Sequence, residues 1–182
     1  MGRFGPAAGR ALGLVVLVWL AWQLWARGTE LDRAGAALRF LHGVDLIIHE
    51  AGHTVFLFFG PYLSILGGSA LQVLVPAVCA GYFLLHRQPA SFAVALFWTG
   101  ESITDVAIYV ADAQKMALPL LGGHAVIHDW NYLLAPLRLV PYAGALGALT
   151  FALGMLVILG ALAVLAWEVA RAWPDAAEGH GA

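Results

Sequence analysis

The chain has 182 residues, of which 62% are hydrophobic and 11% charged, and its formal net charge is −2. This composition excludes an ordinary soluble domain and predicts an integral membrane protein, a multi-pass protein of a cell membrane surrounded by membrane lipids. Because the sequence has no basic run that could follow a phosphate backbone, nucleic acid is not an expected partner. The single cysteine, Cys79, excludes an intramolecular disulfide and a multi-cysteine metal site.

Apolar runs bounded by charged residues or by glycine and proline predict an all-α fold. We expect a polytopic transmembrane helix bundle with about five spans, forming a single membrane domain over residues 1–173. The spans are predicted near 11–26, 40–59, 69–86, 90–114 and 143–170. An irregular connection is predicted near 116–141 and a disordered tail over 174–182. Lysine and arginine are divided almost evenly between alternate loops, so the sequence does not predict an orientation.

The first run begins at Ala11 and ends in Trp19, Trp22 and Trp25 rather than in a small-residue cleavage pattern. Tryptophans of this kind suit the interface between membrane and water, which predicts a retained first span rather than a cleaved signal peptide. Arg27 follows and marks the exit of the span into a polar connection.

The second run contains His49-Glu50-Ala51-Gly52-His53 and stops at Gly60-Pro61, where proline is expected to break the helix. In a helix, positions i and i+4 lie on the same face, so both imidazoles can reach one metal ion. Glu50 between them is positioned to act as general base toward water on the metal. The pattern predicts a zinc site (Zn²⁺) with His49 and His53 as ligands. Gly52 leaves room for a close neighbour.

Catalytic zinc usually has three protein ligands, so another must come from elsewhere in the chain. Glu101 is the expected third ligand. Asp105, four residues later on the same helix face, would accept the outer N–H of His49 or His53 and fix its orientation. Asp129, Asp105 and Asp112 are the alternative third ligands. The carboxylates of this run could instead form a polar stripe that lines a water cavity, and Asp112 extends that stripe.

Three further features are less specific. His42 and Asp45 lie one or two turns before His49 and could support the metal ligands or line an entrance. His128 stands beside Asp129 and is a candidate catalytic donor to an oxyanion. Gly67-Gly68 predicts an irregular entry into the third span, which otherwise contains only Gln72 and Pro76 as exceptions to its apolar character.

The stretch Ile47-Ile48-His49-Glu50-Ala51-Gly52-His53 resembles the zinc motif of intramembrane metalloproteases of the site-2 protease type, including the glycine before the second histidine. The resemblance covers the second span only. It implies that His49 and His53 are zinc ligands and Glu50 is the catalytic base. It also implies an Asp ligand near a Leu-Asp-Gly or Asn-Pro-Asp-Gly sequence in a later span, and this chain has neither sequence.

The function expected from these residues is a zinc-dependent intramembrane metallopeptidase, a hydrolase that cleaves a membrane-protein or peptide substrate. The first alternative is a zinc-dependent hydrolase or acyl-transfer enzyme that acts on lipid, since the same activated water could attack an ester. The second alternative is a membrane protein without enzymatic activity, in which the carboxylates line an ion path.

Overall fold

The computed structural model of the protein describes residues 5–118 and 128–178, with side chains over 7–118 and 128–172. Within these ranges the protein is an all-α helical bundle without strands, as predicted. The α-helices are α1 (Gly5–Arg27), α2 (Ala36–Val55), α3 (Pro61–Leu85), α4 (Pro89–Asp112), α5 (Asp129–Leu134) and α6 (Ala143–Glu178). Short 3-10 helices span Leu31–Arg33, Leu57–Phe59 and Val140–Tyr142.

In the part of the chain that the structure describes, four helices are long enough and apolar enough to cross a membrane. They correspond to α1, α3, α4 and α6, over Ala7–Arg27, Pro61–Leu85, Pro89–Asp112 and Val140–Ala172. The α2 helix is 20 residues long, but it carries the charged residues Arg39, Asp45 and Glu50, and it does not belong to this set. The second of the five predicted spans therefore stays a prediction.

The centre of the bundle is α4, whose side chains are mostly buried, whereas few of the side chains of α1 and α6 are buried. Glycines allow α4 and α6 to pack closely, because a Cβ atom placed on Gly100 would lie only 2.8 Å from the carbonyl oxygen of Gly154. Close approach through small residues is a common way for helices to associate in lipid. The bundle thus encloses the polar residues of α4 and turns the apolar faces of α1 and α6 outward.

The break between α2 and α3 lies where the sequence predicts it. Gly60 has φ +92°, a value that favours glycine, and Pro61 opens α3. The irregular entry predicted at Gly67-Gly68 is wrong, since both glycines lie within the continuous helix that begins at Pro61. Their role is close packing against α2, which requires an absent side chain rather than an irregular backbone.

The later part of the chain is more helical than predicted. The α5 helix lies within the connection expected to be irregular near 116–141, and the 3-10 helix Val140–Tyr142 begins there. Residues 119–127 of this connection lie outside the described part. The α6 helix continues to Glu178, past the predicted start of the tail at 174, and residues 179–182 again lie outside the description.

Candidate metal centre

The two motif histidines lie one turn apart on α2 and direct their Nε2 atoms to the same point. Asp129, at the start of α5, meets them there: its Oδ2 lies 2.9 Å from Nε2 of His49 and 3.2 Å from Nε2 of His53. All three ligand atoms lie within 4.8 Å of one another. The carboxylate that the structure brings to the histidines is therefore Asp129, which was the alternative to Glu101.

Close packing of α3 against α2 places the backbone of Gly68 beside the two histidines. A Cβ atom placed on Gly68 would lie 2.7 Å from Nε2 of His49 and 2.8 Å from Nε2 of His53. Gly52 faces the backbone of Gly67 in the same way, which confirms the prediction that it leaves room for a close neighbour. Only a residue without a side chain fits at these positions.

A chain of hydrogen bonds fixes the orientation of His49. Gln72 on α3 donates from Nε2 to Oδ2 of Asp105 (3.0 Å), and its Oε1 lies 3.0 Å from Nδ1 of His49. Because a carboxylate only accepts hydrogen bonds, Gln72 must present its NH₂ group to Asp105 and its oxygen to His49. Nδ1 of His49 therefore carries a hydrogen, and in the neutral ring Nε2 has a free lone pair.

The orientation of His53 is fixed by the backbone. Its Nδ1 donates to the carbonyl oxygen of Ser64 (3.0 Å), and the Ser64 hydroxyl donates to the carbonyl oxygen of His53 (2.8 Å). A carbonyl oxygen accepts only, so Nδ1 of His53 also carries the hydrogen. Both imidazoles thus offer Nε2, and each Nδ1 donates to an oxygen atom: the amide oxygen of Gln72 for His49, and for His53 a backbone carbonyl, a common partner of metal-binding histidines.

The composition of the centre suits a cation. Two nitrogen lone pairs and a carboxylate oxygen converge, and such a set of acceptors is stable only around a metal ion or bound protons. Burial by itself would raise the pKa of Asp129, but when His49 and His53 are protonated at Nε2 as well, their hydrogen bonds to the carboxylate lower its pKa below the ordinary value. Two histidines and one carboxylate are a donor set that zinc accepts, so the residues fit the predicted metal.

The neighbours of Asp129 hold α5 in place. Trp130 donates from Nε1 to the Ser69 hydroxyl on α3 (3.1 Å), and Asn131 donates from its amide to the carbonyl oxygen of Ala113 (2.8 Å). These bonds attach the start of α5 to α3 and to the end of α4. Asp129 therefore reaches the histidines from a fixed position, although it is distant from them in sequence.

Two of the three residues of the centre are partly exposed. The side chain of His49 is only 4% exposed, whereas His53 is 25% and Asp129 19% exposed. Glu50, the predicted base, is exposed and follows His49 directly in α2. His53 and Asp129 are therefore more accessible from outside than His49.

Glu101, the expected third ligand, does not belong to this group of ligand atoms. It is fully buried, and it faces Asp45, Asp105 and Arg27. The α4 helix meets His49 at Tyr109, whose ring stacks on the imidazole with centroids 5.7 Å apart. Tyr109 lies eight residues after Glu101, roughly 12 Å further along the helix axis. Glu101 therefore lies on α4 about two helical turns before the point at which this helix meets His49.

Asp105 supports His49 through Gln72 and not by the direct contact that the sequence suggested. It also accepts from Nδ1 of His42 (2.9 Å) and lies 3.6 Å from Nη1 of Arg27. Arg27 was expected at a polar exit, but it is 1% exposed, and its Nη2 donates to the Thr104 carbonyl oxygen (3.1 Å).

Three other candidates lie elsewhere. Asp45 is fully buried and accepts from Nε1 of Trp98 (3.0 Å), so it does not line an entrance. Asp112 accepts from the backbone N–H groups that follow α4. His128 precedes α5 and has Nδ1 3.7 Å from Oδ2 of Asp112, so this nitrogen is directed away from the centre. A role for His128 toward an oxyanion stays a prediction.

Gln72 and Ser64 are the residues that sequence reasoning missed. The available signal was that Gln72 is a lone amide in an otherwise apolar helix, where a polar side chain needs a partner. Ser64 acts through its backbone oxygen, which no sequence pattern reveals. No protein-family model, curated protein or solved structure matches the chain.

Proposed function

We propose that the protein is a zinc-dependent intramembrane metallopeptidase, a multi-pass protein of a cell membrane that cleaves peptide bonds in membrane-associated substrates. The observation that carries the proposal is the convergence of His49, His53 and Asp129, with both imidazoles held so that Nε2 is offered. Three protein ligands of this type are usual for catalytic rather than structural zinc.

His49, His53 and Asp129 would hold the zinc ion. When bound, zinc supplies Lewis-acid chemistry, polarising a carbonyl and making water more acidic. Glu50 takes the proton from the attacking water and delivers it to the leaving amine, as a general base and then a general acid. Glu50 is exposed and directly follows His49 in α2, which supports this role.

The membrane setting is supported by the four helices long and apolar enough to cross a bilayer. A helical substrate segment must unwind before it is cut, since its amides are engaged in its own hydrogen bonds. The resemblance of the motif around His49 to intramembrane proteases favours a peptide substrate over a lipid ester.

The test uses the full-length protein, purified and reconstituted in liposomes with a reporter protein that contains one transmembrane segment. We expect the wild type to contain stoichiometric zinc and to cleave the reporter. Glu50→Gln should retain zinc and lose cleavage, because the amide cannot take a proton. Glu30→Gln, at an exposed position outside the centre, is the matched control and should cleave normally.

Normal cleavage by Glu50→Gln would refute the mechanism. A wild-type protein without zinc would refute the metal centre. If the reporter stays intact while phospholipid esters are hydrolysed in a manner sensitive to Glu50→Gln, the lipid alternative replaces the peptidase.

A further inference from the structure

A second polar group lies in the interior of the bundle, separate from the metal centre. It consists of Asp45 on α2, Glu101 and Asp105 on α4, and Arg27 at the end of α1, and none of the four is more than 1% exposed. Three carboxylates thus face one guanidinium in a region from which water is excluded. Burial of uncompensated charge costs several kcal/mol, so this group requires further neutralisation.

Asp105 has two hydrogen-bond donors and one ion-pair partner. It accepts from His42 and Gln72 and lies 3.6 Å from Arg27. Arg27 in turn donates to both oxygens of Thr104, which keeps its guanidinium on this side of the group. The single positive charge of Arg27 is therefore engaged with Asp105.

Asp45 and Glu101 are left without such compensation. Oδ1 of Asp45 accepts from Trp98 (3.0 Å) and Ser102 (3.4 Å). Among the described residues, no donor reaches Oδ2 of Asp45 or either oxygen of Glu101. The hydrogen bond from Ser102, the residue after Glu101 in α4, places the carboxyl group of Asp45 beside that of Glu101. Two adjacent carboxyl groups whose remaining oxygens meet no donor are stable together only if one of them carries a hydrogen.

We propose that Asp45 and Glu101 form a carboxyl pair that binds one proton in the folded protein and thereby joins α2 to α4. Two adjacent carboxylates in a low-dielectric site cannot both be ionised, and a shared proton converts their repulsion into a short, strong hydrogen bond. A metal ion is a poorer occupant, since these oxygens and those of Asp105 are not gathered within 4.8 Å like the atoms of the metal centre.

The pair affects the metal centre through Arg27. The charged groups that face Glu101 are Arg27 from α1, Asp45 from α2 and Asp105 from α4 itself. With one proton on the pair, Arg27 can remain with Asp105, which orients His49 through Gln72. Without that proton, the second carboxylate would compete for the guanidinium. This proposal stands on its own contacts, and it does not depend on the identity of the reaction.

Infrared spectroscopy of the purified full-length protein tests the pair directly. At neutral pH a protonated carboxyl gives a carbonyl band that ionised carboxylates lack, and the band shifts in D₂O. We expect the band in the wild type and its loss in Glu101→Gln. It should also disappear in Asp45→Asn, because an amide donates to Glu101 and lets it ionise. Asp32→Asn, an exposed carboxylate, is the control and should keep the band.

Thermal stability provides a second readout. The unfolded chain releases a carboxyl proton near pH 4, whereas the folded pair keeps its proton, so folding becomes less favourable as the pH rises above about 4. Glu101→Gln mimics the protonated form, so its folding does not become less favourable as the pH rises. Relative to wild type, its melting temperature should therefore rise by several degrees between about pH 5 and about pH 8.

Two infrared results would overturn the proposal: absence of the band from the wild type, and its persistence in Asp45→Asn, which would place the proton on Glu101 alone. A difference in melting temperature that does not change with pH would also overturn it. Loss of a second equivalent of metal in Glu101→Gln would show that the pair binds a cation instead of a proton. Zinc at the histidines is measured in the same samples, so failure of the pair is distinguishable from failure of the metal centre.

Discussion

Replacement of Gln72 by leucine tests how the structure controls the metal ligands. The side chain is 1% exposed and makes two hydrogen bonds, from His49 Nδ1 and to Asp105 Oδ2. Leucine has a similar size, so Gln72→Leu removes both bonds with little change in packing. His49 then loses the acceptor that keeps its hydrogen on Nδ1, and the tautomer that blocks Nε2 becomes more populated.

The expected magnitude follows from these contacts. A hydrogen bond of this kind contributes about 1 kcal/mol, and a buried donor left without a partner costs about 1–3 kcal/mol. At about 1.4 kcal/mol for each factor of ten, zinc affinity should fall by about 10-fold to 100-fold, the range usual for residues that orient a metal ligand. Folding should also be weakened, because Asp105 loses a donor.

Zinc affinity is measured by competition with a chelator in detergent at a fixed pH. Gln23→Leu is the matched control, since it replaces an amide in α1 whose buried Nε2 has no partner among the described residues. It should leave zinc affinity unchanged. An affinity of folded Gln72→Leu within twofold of wild type would refute the reasoning that the Gln72 amide holds the His49 tautomer.

Three further predictions concern the candidate metal centre. Asp129→Ala should lower zinc affinity by more than the roughly 10-fold to 100-fold that is typical of a residue that only orients a ligand. Glu101→Gln should retain zinc. Loss of zinc in Glu101→Gln, with zinc retained in Asp129→Ala, would instead identify Glu101 as the ligand. Gly68→Ala should abolish zinc binding because its Cβ would meet both imidazoles, whereas Gly81→Ala, with open space around it on the same helix, should bind normally. Removal of zinc by a chelator should lower the melting temperature, since zinc at a hundredfold excess over its Kd stabilises by about 2.7 kcal/mol. An apo protein that melts like the holo protein would contradict this.

Local patterns in the sequence determined much of the fold. Apolar runs predicted the helices, and Gly60-Pro61 predicted the break between α2 and α3, because hydropathy and backbone restrictions act over a few residues. The pairing of His49 with His53 also follows from helix geometry alone. The same reasoning did not foresee that Gly67-Gly68 would remain helical, since the reason is contact with α2.

The tertiary structure alone decided which carboxylate meets the histidines. Glu101 and Asp129 are both acidic residues in later parts of the chain, and the sequence favoured Glu101 because Asp105 follows it at helical spacing. The way in which α4 packs against α2 places Glu101 beside Asp45 and Tyr109 beside His49. Asp129 reaches His49 from α5. Helix packing sets this choice through side chains distant in sequence, and the sequence therefore predicted the pairing of the two histidines without predicting the third member of the candidate centre.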